Sequence, residues 1–475
     1  MIRFLPPQRL ALAAAVAVLA FWALSQLTVA TWLAHEANQR ESDWAQGVSP
    51  WRWDFSRAAS VIRSGSHGLD SAQHQGNHLS IALGDDGVAG LSLALHGNPI
   101  DLTSVDRARI RLSASAPFEL TLLPALPGQH IEWARITAAA GTHERGMTLA
   151  PLPASTAPAL QLRIQSTPGS RVELHHLALL ARPCDSTSPC SGHRRTAPAF
   201  NTPESLLAYR DASTLRAPAV AIEAGGIFGV TAQWLAPRLR GASDTLLRAV
   251  TLGLLPLVLF ALACRVKRRT SVSRTRALLE LLMPLGGALV LLLAGWPARD
   301  TPLQASMTLM MCLSALALLP PPSHDWHWRG NAAAWRSVLT FTALAMLFTA
   351  PLTWLPHEPR PRHDALDLLR YPLWALVQQW LLIAAIAPRM RLLLPDTRAA
   401  ALACGLLFAL MHAPNFALML FTLAGGSIWA WLGQRHRALL PLAASHAVLG
   451  VWLMHVAPSW LLRSAEVGGR FLMPP

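Results

Sequence analysis

YPLWALVQQWLLIAAIAPRMRLLL, from Tyr371 to Leu394, is an apolar run long enough to cross a bilayer, and it carries two adjacent glutamines, Gln378 and Gln379, in its interior. Two later runs share that character. ALACGLLFALMHAPN (Ala401–Asn415) holds His412 and Asn415, and PLAASHAVLGVWLMHV (Pro441–Val456) holds His446. A polar side chain at bilayer depth costs free energy unless it is paired, so each of these five is a function candidate by default. Helix-to-helix hydrogen bonding explains any one of them taken alone, whereas three polar-bearing spans in succession point to a shared site. A helix rises ~1.5 Å per residue, which puts Gln378 about 10 Å below the outer face and His412, about 14 residues from the inner end of its span, at a similar level. His446 lies level with them or deeper. Small residues at Gly405, Gly425, Gly426, Ser427, Ala443 and Ala444 let the helices approach closely around such a cavity.

Of the 475 residues, 52% are hydrophobic and 14% charged, and the mean hydropathy is +0.33. This is the composition of a polytopic membrane protein with a sizeable polar insert. The net charge of +14 comes almost wholly from arginine, Lys267 being the only lysine, and much of it sits in short loops between apolar runs. Charge so placed sets membrane topology and argues against nucleic acid as a partner.

Nine apolar runs are expected to span: about Leu10–Val29, Leu246–Cys264, Leu278–Trp296, Met307–Leu319, Val338–Leu355, Pro372–Ala387, Ala399–Met411, Phe416–Trp431 and Leu439–Val456. The first follows Arg3 and Arg9, a pattern shared by cleaved signal peptides and uncleaved anchors; its length and the lack of a clean small-residue cleavage site after it favour the anchor. One set of alternating loops is basic: Arg265 to Arg276, Arg329 with Arg336, Arg389 with Arg391 and Arg398, and Arg435 with Arg437. The opposite set mixes Arg299, Arg360, Arg362 and Arg370 with Asp300, Glu358, Asp364 and Asp367. By the positive-inside rule the first set is cytoplasmic, which makes this a multi-pass inner-membrane protein whose C-terminus and early polar insert lie outside.

In that insert apolar residues recur with period two: Leu79, Ile81, Leu83; Leu91, Leu93, Leu95; Ile110, Leu112; Phe118, Leu120, Leu122; Leu160, Leu162, Ile164; Val172, Leu174. Short strands separated by Gly, Pro and Asp turns read as an antiparallel sandwich. The segment from Asp101 to Leu123, DLTSVDRARIRLSASAPFELTLL, resembles the strand pairs of jelly-roll, galactose-binding-like modules. That resemblance implies a saccharide ligand; a role as spacer or protein-docking module fits the residues equally. The expected fold is therefore an all-α polytopic membrane bundle of about nine helices with an inserted extracytoplasmic, jelly-roll-like β-sandwich. Its parts are an anchor (1–32), the sandwich (33–182), a Pro, Ala and Arg-rich linker (183–243), helices preceding the core (244–357) and the core itself (358–475). Cys184 and Cys190, outside the cytoplasm and close in sequence, are expected to form a disulfide, while Cys264, Cys312 and Cys404 in or beside apolar runs read as free thiols.

At the polar residues the sequence resembles the CAAX-prenyl-protease and bacteriocin-processing family of glutamic intramembrane proteases, over roughly Tyr371 to Val456. That family carries Glu-Glu-x-x-x-Arg, then Phe-x-x-x-His, then His-x-x-x-Asn or Asp. Here FALMH (Phe408–His412) matches the second motif, and HAVLG (His446–Gly450) matches the third at its histidine. Gln378 and Gln379 stand where the glutamates belong, Ile383 replaces the arginine, and Gly450 replaces the Asn or Asp. The resemblance implies a glutamate and histidines that activate a water for attack on a peptide carbonyl, with the last motif steadying the oxyanion. A glutamine amide positions a water but does not take its proton, so the base here is His412 or His446, since neutral imidazole accepts a proton near pH 7. Restoring a glutamate at 378 or 379 is then expected to raise activity. No cofactor is required by these residues, and a metal held by two histidines without a carboxylate would be under-coordinated.

Two functions follow as expectations. One is an intramembrane endopeptidase that processes a membrane-anchored or exported peptide, using His412, His446, Gln378, Gln379 and Asn415. The other is a non-catalytic relative that binds or sorts such substrates together with its outer sandwich. A transporter would carry internal repeats and charged midplane residues, which this sequence does not show. Membrane lipid, a peptide or protein substrate, and a saccharide or protein ligand for the sandwich are the partners implied.

Overall fold

A computed structural model describes residues 7–56, 60–95, 99–126, 131–152, 156–182, 194–198, 202–216, 220–241, 274, 277–278, 280–281, 327–356 and 365–473. The runs at 246–264 and 307–319, most of the run at 278–296, and Cys184 with Cys190 lie outside the described residues. The chain divides into two compact units, residues 33–198 with 209–225, and residues 1–32 with 199–208 and 226–475.

The first unit is a β-sandwich. One sheet runs β10 (Gly141–Thr148), β7 (Val105–Ala114), β13 (Arg171–Ala181), β4 (His78–Leu83), β3 (Leu69–Gln75), with β1 (Val48–Asp54) pairing the far half of β13. The other runs β2 (Val61–His67), β5 (Val88–Leu93), β12 (Leu160–Ser166), β8 (Phe118–Pro124), β9 (Ala134–Ala138). Every pairing within these two sheets is antiparallel, and a short β6 (Ile100–Asp101) pairs β11 (Thr156–Ala157). Register follows the two-residue period. Leu174 of β13 lies opposite Leu112 on one side and Leu79 on the other, and Leu162 of β12 lies between Leu91 and Leu122. These side chains, with Ile81, Leu83, Leu93, Ile110, Leu120, Leu160, Ile164 and Val172, form one buried core that also holds Trp51, Trp53, Phe55 and Trp133. Full burial of a side chain of this size contributes about 1.5 to 3 kcal/mol. The register of β13 against β7 shifts between Leu174 and His176, a bulge that leaves His175 as the extra residue.

The stretch read as a linker contains four elements: β14 (Arg194–Ala197), α2 (Pro203–Arg216), β15 (Ala221–Ala224) and α3 (Gly226–Gly241), with β14 and β15 paired in parallel. Helix α1 (Pro7–Ala45) outlasts its apolar run, which ends near Val29. Ion pairs within the sandwich unit explain both extensions. Arg194 bridges Glu41 and Glu223 at 2.9 and 2.7 Å, and Arg210 bridges Glu36 and Asp211 at 3.3 and 2.8 Å.

The second unit is helical. It comprises the early part of α1, the start of α2, α3, then α4 (Ala332–Thr349), α5 (Ala365–Trp380), a π-helical segment (Leu381–Ile386), α6 (Ala387–Leu393), α7 (Thr397–Leu410), α8 (Phe416–His436), α9 (Leu440–Val456) and the short α10 (Ser459–Leu462) and α11 (Gly469–Leu472). Asn331, Asp396 and Asn415 start α4, α7 and α8 by accepting from the backbone N–H three residues on, which satisfies donors the first helical turn cannot pair itself. Among the described residues, four helical stretches are long and apolar enough to cross a membrane: Gln8–Ala45, Ala332–Trp354, Tyr371–Leu393 and Phe416–His436. Thr397–Leu410 and Leu440–Val456 are apolar but shorter. Phe21 of α1 packs on Ala409, Met419 and Leu423 of α7 and α8.

Candidate functional site

The glutamines come first, because an irregular helix aims them. From Leu381 to Ile386 the backbone is π-helical, with the Ala387 N–H bonded to the Leu382 carbonyl five residues earlier. Such a segment spoils the regular ladder and recurs at functional sites. Arg389 compensates for it: its guanidinium donates to the carbonyls of Ala384 and Ala385 at 3.5 and 3.0 Å and to Glu280 at 2.9 Å, all buried. Directly before the segment, Gln378 is half-buried and lines a cavity, while Gln379 is 0% exposed.

His446 on α9 meets Gln379, whose amide nitrogen lies 3.2 Å from the imidazole Nδ1. Aromatic rings hold the imidazole on three sides. Trp429 of α8 stacks on it with centroids 4.7 Å apart, Phe408 of α7 meets it edge-on at 5.7 Å, and Tyr371 does so at 6.3 Å. Trp429 is itself fixed, since its indole N–H donates to Ser445 at 3.1 Å and the Ser445 hydroxyl is hydrogen-bonded to that of Thr342 at 2.7 Å.

His412 stands in the turn after α7. Its Nδ1 lies 2.7 Å from the Phe408 carbonyl, and a carbonyl only accepts, so Nδ1 carries the proton and the neutral ring keeps an acceptor at Nε2. Its ring meets Phe408 edge-on at 4.9 Å. The structure thus brings both histidines against one phenylalanine ring. Both line the same cavity, of about 670 Å³, together with Gln378, Tyr371 and Trp429, and its remaining wall is mostly apolar side chains of α4, α5, α8 and α9. That is the size and character of a pocket for an apolar ligand with a few converging polar groups.

Asn415 is 0% exposed and does not line this cavity. Its Oδ1 caps α8 at Leu418 N, and its Nδ2 donates to the carbonyls of Leu462 and Glu466 at 2.8 and 3.0 Å. The C-terminal segment is thereby strapped to the turn that carries His412. Gly468 N–H adds a bond to Ala413 O at 2.9 Å, and Val467, Gly468 and Arg470 form part of the cavity wall. On the other side of the α8 start, the buried Glu204 carboxylate accepts from Ala417 N at 3.0 Å.

The departures from the family motifs have local causes. Gly450 faces Tyr371, whose phenol occupies the space a side chain at 450 would fill. Ile383, at the arginine position, is buried in the π segment against Gly433. Gly405 allows α7 and α8 to touch, since a Cβ there would lie 2.7 Å from Leu423 O. Sequence reasoning did not single out Tyr371, Trp429, Ser445 or the C-terminal strap. A small residue at 450 where a polar one was expected is the one signal that pointed toward Tyr371. Among the described residues, no group of three or more His, Cys, Asp or Glu side chains is placed to hold a metal ion.

No family model matches the chain, and no curated protein matches it. Solved structures similar to part of it are carbohydrate-binding modules. A family 29 module, CBM29-2, is 12% identical, covering 28% of this chain and 92% of its own, at a TM-score of 0.22. A low-affinity xylan binding module, CBM86, from the gut symbiont Roseburia intestinalis is 9% identical over 28% of this chain and 95% of its own, also at 0.22. Values this low carry no argument about ligand or activity.

Proposed function

We propose that this chain is an intramembrane endopeptidase, a divergent relative of the glutamic intramembrane proteases, in which His412 is the general base. The observation that carries the reading is the convergence of His412 and His446 on Phe408 at the wall of one mostly apolar cavity, with the proton-accepting Nε2 of His412 available for catalysis. In this mechanism Gln378 and the histidines hold a water beside the scissile carbonyl. His412 Nε2 takes one proton from the water as its oxygen bonds to the carbonyl carbon. That proton then passes to the amide nitrogen as the carbon–nitrogen bond breaks, leaving an acid and an amine. A low-dielectric, water-poor site strengthens each of these polar contacts. The chain is proposed to sit in the inner membrane, with sandwich and C-terminus outside, on the strength of its arginine-bearing loops.

A second reading is favoured by one observation: the Gln379 amide is committed to His446, and among the described residues no carboxylate lines the cavity. In that reading the cavity binds a membrane-embedded segment without cutting it. The sandwich's partner is proposed to be a saccharide or a protein. Trp51, Trp53 and Trp133 are buried, so they offer no stacking platform, and contact falls to polar strand positions. The test is a cleavage assay of the purified full chain on membrane-anchored peptides, with and without His412→Ala. Cleavage lost in the variant supports the peptidase. Unchanged cleavage removes His412 from the chemistry, and binding without cleavage in both supports the second reading.

A further inference from the structure

We infer that Gln379 is a positioning residue that fixes the tautomer of His446, so that His446 offers an N–H donor, and His412 a bare nitrogen, to whatever occupies the cavity. The inference rests on the reading of this cavity as the reaction site, but its evidence is geometric. An amide nitrogen donates and never accepts. With Gln379 Nε2 at 3.2 Å from His446 Nδ1, Nδ1 is the acceptor and the neutral ring carries its proton on Nε2. The opposite holds at His412, where the Phe408 carbonyl requires the proton on Nδ1.

The Phe408 carbonyl holds His412 to its role and the Gln379 amide holds His446 to the opposite one. His446 is stacked on Trp429, which is anchored through Ser445 to Thr342. Gln379 is wholly buried and turns Nε2, not Oε1, toward His446, while its Oε1 has no hydrogen-bond partner among the described residues. The two imidazoles therefore form a matched pair rather than a duplicated one. A ligand that satisfies both presents an acceptor oxygen to His446 and a donor hydrogen to His412, as a carbonyl group with an adjacent water does.

Amide and acid are consequently not interchangeable at 379. A carboxylate accepts only, so it would draw the His446 proton to Nδ1 and leave two acceptors facing the cavity. Gln379→Glu is then expected to reverse the role of His446 rather than to restore a base, in contrast to Gln378→Glu, whose side chain faces the cavity.

The test is nitrogen NMR of the full chain, labelled at histidine and reconstituted in lipid nanodiscs at about pH 8, above the ordinary imidazole range, with His446→Gln and His412→Gln used to assign signals. Wild type is expected to show His446 protonated on Nε2 and His412 on Nδ1. In Gln379→Glu the two His446 nitrogen signals should exchange places or both become protonated, and in Gln379→Met both tautomers should be populated. A wild-type His446 protonated on Nδ1 overturns the inference, and so does a tautomer that neither variant changes. The wild-type spectrum decides the point even if one variant does not fold. Absence of cleavage alongside the expected tautomers defeats the peptidase reading alone, whereas cleavage with reversed tautomers defeats this inference alone.

Discussion

The phenol of Tyr371 stands where a side chain on Gly450 would have to go, so that the two positions, on α5 and α9, share a single space at the cavity wall. Gly450→Asn is expected to destabilise the helical unit by about 1 to 3 kcal/mol through overpacking. Tyr371→Ala in the same chain should recover much of that loss. Thermal unfolding in detergent of the two single variants and the double checks it. Additive losses would mean that the two residues do not share the space.

Ser445 accepts from Trp429 and shares a hydroxyl–hydroxyl hydrogen bond with Thr342. Ser445→Ala leaves a buried indole N–H without its acceptor, at an expected cost of about 1 to 3 kcal/mol, and frees the ring stacked on His446. The variant should unfold earlier and shift tryptophan emission. Thr342→Val should cost less, because the buried indole N–H keeps Ser445 as its acceptor.

Arg389 and Glu280 form a buried pair at 2.9 Å. Glu280→Ala is expected to cost about 3 to 5 kcal/mol by leaving a buried guanidinium uncompensated. The double change Glu280→Leu with Arg389→Met should cost less than the sum of its singles. It should not return to wild type, since Arg389 also serves the Ala384 and Ala385 carbonyls. Thermal midpoints of the four proteins form the cycle.

Asn415→Asp keeps an oxygen for the Leu418 cap but removes both donors to Leu462 and Glu466. The strap should loosen by about 1 to 3 kcal/mol. Hydrogen exchange across residues 459–473 should speed up while α8 keeps its protection. Unchanged exchange in the strap would show that Asn415 does not hold it.

In the sandwich, burial holds His176 below the ordinary imidazole range; nearby Asp54 opposes this, Arg52 and Arg109 reinforce it, and Glu144 opposes it. A lowered native pKa means that the unfolded chain binds more protons once the pH drops below about 6.5, so stability is present above that value and is lost as pH falls through it. Exchange protection of β13 and β7 in the full chain should therefore weaken between about pH 7 and 5.5. His176→Gln should flatten the response, leaving the effect of His175, which burial, His78 and Arg111 lower and Glu173 raises.

The inward residues of the sandwich were legible because period two survives in any pairing: Leu79, Leu112 and Leu174 face the core whichever strands adjoin. Their partners were not legible, since β13 gathers β1, β4 and β7 from across the domain. The extension of α1 past its apolar run, and the placing of β14 and the end of α2 beside it, depend on Arg194 and Arg210 finding glutamates more than 150 positions away. Within the site, Phe408 and His412 are one turn apart on adjoining structure, so their contact is local. The division of labour between Gln378 and Gln379 was hidden because regular 3.6-residue phasing does not hold from Leu381 onward. The strap was hidden for another reason: Asn415 bonds backbone carbonyls, which any sequence supplies.

A π segment holds one residue more than the α-helical path between the same two ends. Removing a single codon within Leu381–Ile386 would let the helix close as a regular α-helix between the same ends, so that Gln378 and Gln379 keep their phase relative to α6. A single-residue deletion in this window should therefore be tolerated better than one inside α7 or α8, where each residue lost turns everything beyond it by about 100°. The segment thus carries one residue beyond a regular helix, and residue spacings counted across it are one longer than a regular helix would need.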